Sequence, residues 1–143
     1  EITERDWSSD VCSSDLSPAR IAATDIRAAT LWAMNRAVDG LALVPETVLV
    51  DGRDQLPGRE AMSIAVIKGD ARHAAISAAS IVAKVARDRL MVRAERAYPG
   101  YGFAQHMGYG TAAHLAALKR LGPCPIHRAT FAPVARLLQG PSA

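Results

Sequence analysis

Two short β-branched runs, each closed by an aspartate beside a glycine, constrain this chain more than any other feature. Glu46-Thr47-Val48-Leu49-Val50 ends in Asp51-Gly52, and Ser63-Ile64-Ala65-Val66-Ile67 ends near Gly69-Asp70. Short runs that stay apolar on both faces are the habit of parallel strands covered by helices, so both are expected to be buried strands. Asp51 and Asp70 then lie at or just beyond the two C-terminal ends, where open α/β sheets collect their ligands. Residues 53–61 between them, holding Pro57 and Gly58, read as a loop. Two carboxylates converging at strand ends are tolerated when a divalent cation offsets their repulsion. Taken on its own, the pair fits ordinary turn chemistry at least as well.

The remaining pattern is helical. Ser17-Pro18 makes a helix entry, and from Thr24 onward Ala29, Ala33, Met34, Ala37 and Leu41 recur at helical spacing until Gly40 interrupts the run. This predicts a helix over residues 25–39 that packs on the sheet. A long helix over residues 75–97 follows, with Ile76, Ala79, Ala83, Ala86, Leu90 and Ala94 as its buried stripe and Ser77, Ser80, Lys84 and Arg87 on an adjacent face. Pro99-Gly100 closes it. Residues 101–110, rich in glycine and aromatics, read as a loop, and Thr111 caps a last short helix with Leu115, Leu118 and Leu121 turned inward, ended by Gly122-Pro123. The expected class is α/β: two parallel strands with flanking helices.

Length bounds the architecture to one domain, since 143 residues, half of them apolar, suffice for a single core. Arg27, Arg36 and Asp39 interrupt the best apolar stretch, so no membrane span is expected, and acids at Glu1, Glu4 and Asp6 are unlike the start of a secretory signal. The expected compartment is the cytoplasm. Asp6-Trp7-Ser8-Ser9-Asp10-Val11-Cys12-Ser13-Ser14-Asp15-Leu16 has no helical or strand period and resembles the codon-by-codon translation of a common sequencing adapter. Residues 1–16 are therefore read as a non-native or disordered leader, with the natural sequence starting near Ser17. Without them the formal charge rises from +3 to +7, because Arg5 leaves with five acids and 16 basic residues then face 9 acidic ones. That excess suits a polyanionic partner, although solvated surface arginines account for it equally. Cys124 remains as the single cysteine, so no disulfide is expected. Cys124-x-x-His127 with His106 and His114 has zinc-like spacing, yet Pro123 and Pro125 stiffen the turn and no zinc is expected there.

Several separate blocks stand out in order along the chain. They are Val48-Leu49-Val50-Asp51-Gly52, then Lys68-Gly69-Asp70, then the helix Ile76-Ser77-Ala78-Ala79-Ser80-Ile81-Val82-Ala83-Lys84-Val85-Ala86-Arg87-Asp88. Tyr101-Gly102-Phe103, His106, Gly108-Tyr109-Gly110-Thr111, and Pro125-Ile126-His127-Arg128 with Phe131 and Pro133 follow. In this order the blocks resemble the bacterial ribonuclease HII (type 2 ribonuclease H) family, and the tyrosine block resembles the HII type rather than the related HIII type.

This resemblance implies an RNase H-like fold and an endonuclease that cleaves the RNA strand of RNA-DNA hybrids, or at single ribonucleotides embedded in duplex DNA. It implies Mn²⁺ or Mg²⁺ as cofactor, with Asp51 and Asp70 as catalytic metal ligands and hydrolysis by a two-ion clamp. Tyr109 and Gly108 are implied to sit against the ribose at the RNA-to-DNA junction. Lys68, Ser77, Lys84 and Arg128 are the remaining candidate substrate contacts, the basic ones toward phosphates. The family pattern also has an N-terminal strand with an adjacent Asp-Glu pair, and no Asp-Glu dipeptide occurs in this sequence. Residues 17–143 accordingly read as the C-terminal part of such a catalytic domain, truncated of its N-terminal antiparallel strands. The expectation is a chain inactive by itself, from a protein that is monomeric at full length. A non-catalytic basic nucleic-acid-binding domain is the alternative.

Overall fold

A computed structural model of the chain describes residues 18–140. The expected leader over residues 1–16 lies outside the described residues. In chain order the elements are α1 (Pro18–Ala23), α2 (Ile26–Asp39), β1 (Val48–Asp51), β2 (Ser63–Val66), α3 (Gly69–Arg72), α4 (Ala74–Ala97), α5 (Phe103–His106), α6 (Ala112–Leu121) and α7 (Ala132–Gln139). They fall into two compact units. Among the described residues, one is Ile26–Val85 and the other joins residues 18–25 to residues 86–140.

In the first unit β1 and β2 pair in parallel, with Val48 opposite Ser63 and Asp51 opposite Val66. The backbone ladder continues at both ends, through Val48 N–H to Met62 O at 2.8 Å and Gly52 N–H to Val66 O at 3.0 Å. A loop alone makes the crossover, and it is held by polar contacts. The buried Ser63 Oγ accepts the Leu56 amide at 3.0 Å, and Gln55 Nε2 donates to Ser63 O at 2.7 Å. Leu56 is fully buried above this seat. Arg27 pairs with Asp54, Arg59 with Asp39, and Asn35 Nδ2 donates to Pro57 O at 3.0 Å, so α2 is tied to the crossover by side chains.

Burial in this unit is thinner than the sequence pattern implies. Val50 is buried, but Val48 and Leu49 are half-buried and Ile64 is 52% exposed. The cause is the small sheet: among the described residues it has two strands only, so the apolar runs lack the cover that a wide parallel sheet receives on both faces. On α2 only Ala29 is buried. Of the expected stripe on α4, Ile76 and Ala94 are buried, whereas Ala79, Ala83, Ala86 and Leu90 are exposed. Ala79 and Ala83 instead face an open apolar cavity of about 720 Å³, opposite Met34, Leu41, Val48 and Leu56.

The second unit has a small aromatic core. Ala94, Tyr101, Phe103 and Ala117 pack together, with Met91, Tyr98, Cys124 and Ile126 against them. Thr111 caps α6 as expected, its hydroxyl accepting the His114 amide at 3.2 Å. The inward face of α6 differs: His114, Ala117 and Leu118 are buried and Leu121 is 43% exposed. Tyr101 OH reaches over to Gly122 O at 2.7 Å, which closes the end of that helix. Two elements go beyond the sequence reading. Residues 103–106 form the single turn α5 within what reads as a loop, and α7 follows α6, packed on it through the buried Val134.

Candidate active site

β1 delivers Asp51 to its last position, exposed, and one carboxylate oxygen accepts the Gly69 N–H at 2.8 Å. That bond joins the tip of β1 to the turn after β2. Lys68 turns the chain there in the left-handed region, φ 54°. A side chain at position 69 would place its Cβ 2.5 Å from Ile76 Cδ1 and 3.3 Å from Asp51 Oδ1, so the two segments could approach this closely only if the Ile76 terminal methyl and the Asp51 carboxylate shifted. Asp70 comes next, in the first turn of α3, with its Oδ1 accepting the Ala71 amide at 2.9 Å. The sequence reading therefore has both carboxylates at neighbouring strand ends, and the fold brings Asp51 to the residue adjoining Asp70. It corrects one detail, since Asp70 opens a helical turn. Lys68 is exposed beside them, and Ser77 and Lys84 lie further along α4, half-buried and exposed respectively.

Carboxylate oxygens are the donors that hard divalent cations take, so Asp51 and Asp70 suit Mn²⁺ or Mg²⁺ in kind. Each commits one oxygen to a backbone amide, which orients the carboxylate. Among the described residues no group of three or more His, Cys, Asp or Glu side chains is placed to hold a metal ion. Carboxylates of this kind would supply part of an ion's coordination, the rest coming from groups outside this pair.

The second unit presents Tyr109, 60% exposed, on a turn built from unusual backbone. Met107 and Gly108 are both left-handed, with φ 49° and 75°. Arg87 lies over the Tyr109 ring, its guanidinium carbon 4.4 Å from the centroid, and donates to Met107 O at 3.0 Å. Beneath the turn, two buried histidines stack at 4.3 Å between ring centroids. His106 Nδ1 accepts the Gly108 N–H at 3.2 Å and its Nε2 meets Tyr101 O at 2.8 Å, while His114 Nδ1 meets Tyr109 O at 2.9 Å. Burial holds the His114 imidazole below the ordinary histidine range, and burial followed by the nearby His114 does the same to His127. Burial also raises the Cys124 thiol, and raises Tyr101 with a further push from Cys124. Arg128, half-buried, stands 5.8 Å from the Phe131 ring.

Sequence spacing pointed to His106, His114, His127 and Cys124 only as zinc-like. The fold brings the four together, but with Cys124, His127 and His114 in a hydrogen-bonded line and His106 stacked on His114, rather than around a common point. No spacing rule could signal that arrangement, because it depends on three separate segments meeting.

Comparison with known proteins bears on which chemistry these residues serve. The family model described as Ribonuclease HII matches residues 2–134. The chain belongs to the ribonuclease HII family. A protein named Ribonuclease HII from Rhizobium leguminosarum bv. trifolii is 54% identical over 125 residues, covering 87% of this chain and 55% of the relative. One of the same name from Azorhizobium caulinodans is 60% identical over 117 residues, 82% of this chain and 45% of the relative. Another from Acidovorax sp. strain JS42 is 58% identical over 119 residues, 83% and 56% of the two chains. The chain spans about half the length of the curated relatives it matches. The ribonuclease HII family name agrees with the nuclease reading of the sequence and does not favour a purely non-catalytic basic domain. Among the described residues no helix is long and apolar enough to cross a membrane.

Proposed function

We propose that this chain is the C-terminal part, residues 17–143, of a cytoplasmic and monomeric endonuclease that cleaves the RNA strand of RNA-DNA hybrids and at ribonucleotides embedded in duplex DNA. Asp51 and Asp70 are its two carboxylate ligands for Mn²⁺ or Mg²⁺. Tyr109 and Gly108 contact the ribose, and Lys68, Lys84 and Arg128 contact phosphates, with Ser77 a further polar contact. The observation that carries the reading is the hydrogen bond from Gly69 N–H to Asp51, since it draws one carboxylate to the turn that bears the other. Bound divalent cations supply a lowered pKa for the attacking water and offset charge on the leaving oxygen. The protein's own part is to hold oxygen donors at fixed orientation. Asp51 is pinned by an amide from a different segment and Asp70 by an amide of its own helical turn. Lys68, exposed next to them, adds a positive charge that favours an approaching phosphate.

The test is Mn²⁺ binding by the 143-residue chain, followed through the loss of the free ion's electron paramagnetic resonance signal. Asp51→Asn is expected to weaken binding by at least about tenfold and Asp70→Asn by a comparable factor, because each removes a charged ligand worth more than ~1.4 kcal/mol. Unchanged affinity in both variants would overturn the metal assignment. The same chain is expected to show no turnover of a Mn²⁺-supplemented hybrid, since the Asp-Glu pair of the family pattern does not occur in its sequence. Robust cleavage would show that these two carboxylates suffice.

A further inference from the structure

Cys124, His127 and His114 form a line of hydrogen bonds that runs to the Tyr109 carbonyl, and its direction follows from its two ends. At one end the Cys124 backbone N–H, which can only donate, points at His127 Nδ1 at 3.0 Å. At the other the Tyr109 carbonyl, which can only accept, faces His114 Nδ1 at 2.9 Å. Between them His114 Nε2 and His127 Nε2 are 3.2 Å apart. A bare Nδ1 on His114 would set two lone pairs against each other, so that nitrogen carries a proton. By the same argument His127 Nδ1 is bare, and its ring proton sits on Nε2. His114 Nε2 must then be bare to receive it. Every contact is satisfied by neutral rings in one arrangement of protons: Cys124 N–H to His127, His127 to His114, His114 to Tyr109 O. An additional proton on His114 Nε2 would put two N–H groups head to head at 3.2 Å, and one on His127 Nδ1 would face the Cys124 N–H at 3.0 Å, with Cys124 Sγ also 3.0 Å from that nitrogen.

The stacked neighbour obeys the same logic. His106 donates from Nε2 to Tyr101 O and accepts the Gly108 N–H on a bare Nδ1. The two rings thus grip consecutive residues of one turn with opposite polarity, His106 taking the amide of Gly108 and His114 giving a proton to the carbonyl of Tyr109. The turn needs such support, because Met107 pays for a left-handed conformation that side chains avoid.

We infer that His114, held as its Nδ1–H tautomer by His127 and Cys124, is a positioning residue that sets the orientation of Tyr109 toward the nucleic acid, with His106 as its partner at Gly108. The inference rests on the reading of Tyr109 as a substrate contact. It adds an imidazole chain beneath the Tyr109 turn as a determinant of how tightly a hybrid is held.

Replacing histidine by asparagine keeps a polar group at the Nδ1 position, whereas glutamine keeps one at Nε2. His114→Asn therefore retains a donor for Tyr109 O, and His114→Gln loses it while retaining a contact toward His127. Two measurements on the full 143-residue chain test the inference. Long-range nitrogen-15 spectra of the histidine-labelled wild type at neutral pH are expected to show His114 protonated on Nδ1 alone and His106 and His127 on Nε2 alone. A spectrum with His114 protonated on Nε2 and bare at Nδ1 overturns the proposal, and this readout needs no variant to fold.

Binding of a fluorescein-labelled RNA-DNA hybrid, by anisotropy, supplies the second. His114→Gln is expected to weaken binding by about three- to tenfold, the worth of one hydrogen bond, and to move the amide signals of residues 107–109. His114→Asn is expected to stay within about twofold of wild type, as a change that keeps the bond should. Equal losses in the two variants, both shown folded by circular dichroism, would mark a merely structural histidine and also overturn the proposal. Tyr109→Ala separates the underlying reading: if it binds as tightly as wild type, Tyr109 is no substrate contact, while the tautomer and amide signals still decide whether His114 positions the turn.

Discussion

At the scale of single residues, two kinds of position carry the site. Gly69 is one where absence of a side chain matters, because Ile76 and Asp51 occupy the space a Cβ would take. Gly69→Ala is expected to destabilise the chain by about 1–3 kcal/mol, as overpacking generally does. The same substitution should loosen Mn²⁺ binding, because the displaced oxygen belongs to Asp51. Urea denaturation and the metal titration check the two effects, and wild-type values in both would refute the steric argument. Ser63 is the other kind, a buried hydroxyl satisfied by the Leu56 amide, whose role the strand pattern conceals because its neighbours are apolar. Asp51, Asp70 and the glycine between them were legible as residue types at strand ends. The amide that ties one to the other was not, since Gly69 and Asp51 are 18 residues apart.

The elements themselves follow local signals closely. α2 begins at Ile26 and ends at Asp39 beside Gly40, and α4 covers Ala74–Ala97 before Pro99-Gly100, as the stop signals require. α6 starts where Thr111 can cap it, so Thr111→Ala is expected to cost about 1 kcal/mol of stability and Thr111→Ser almost nothing. Equilibrium unfolding of the two variants decides this, and a Ser variant as weak as the Ala variant would show that the methyl group matters more than the cap. Short elements escaped the pattern. α5 is one turn, too brief for a period to register, and α7 begins at a residue before proline, Ala132-Pro133, a step that reads as a helix boundary only once the helix is known. Which helix face is buried escaped as well: the alanines of α4 have helical spacing, but alanine is as common on an exposed helix as in a core.

For the molecule as a whole, the basic excess and the neutral histidine core have consequences in solution. His114 and His127 are held below the ordinary histidine range chiefly by burial. The unfolded chain therefore binds their protons first as the solution is acidified, and stability is present above about pH 6.5 and lost as pH falls below it. Cys124 and Tyr101 are shifted upward by burial, so the folded chain keeps protons that the unfolded chain releases, and stability is lost as pH rises past the ordinary thiol value of about 8.5. His106 stacks on His114, Phe103 packs on both His114 and His127, and Tyr101 packs on His127. Melting temperature is expected to plateau between these limits and to fall from pH 6.5 toward 5.5, before most carboxylates titrate. A melting temperature that stays level or rises over that acid interval would contradict the buried neutral rings.

Local chemistry in the sequence determined the strands, the main helices, the cap at Thr111 and the residue types at the strand ends, because β-branching, helical spacing and glycine-proline punctuation act over a few residues. The block order also determined the family. Tertiary structure alone decided that Gly69 hands its amide to Asp51, that apolar runs in a sheet with two described strands stay half-covered, and that His114 and His127 meet end to end beneath the Tyr109 carbonyl. Each of those depends on which donor, acceptor or surface a distant segment presents, and no single stretch of chain contains that information.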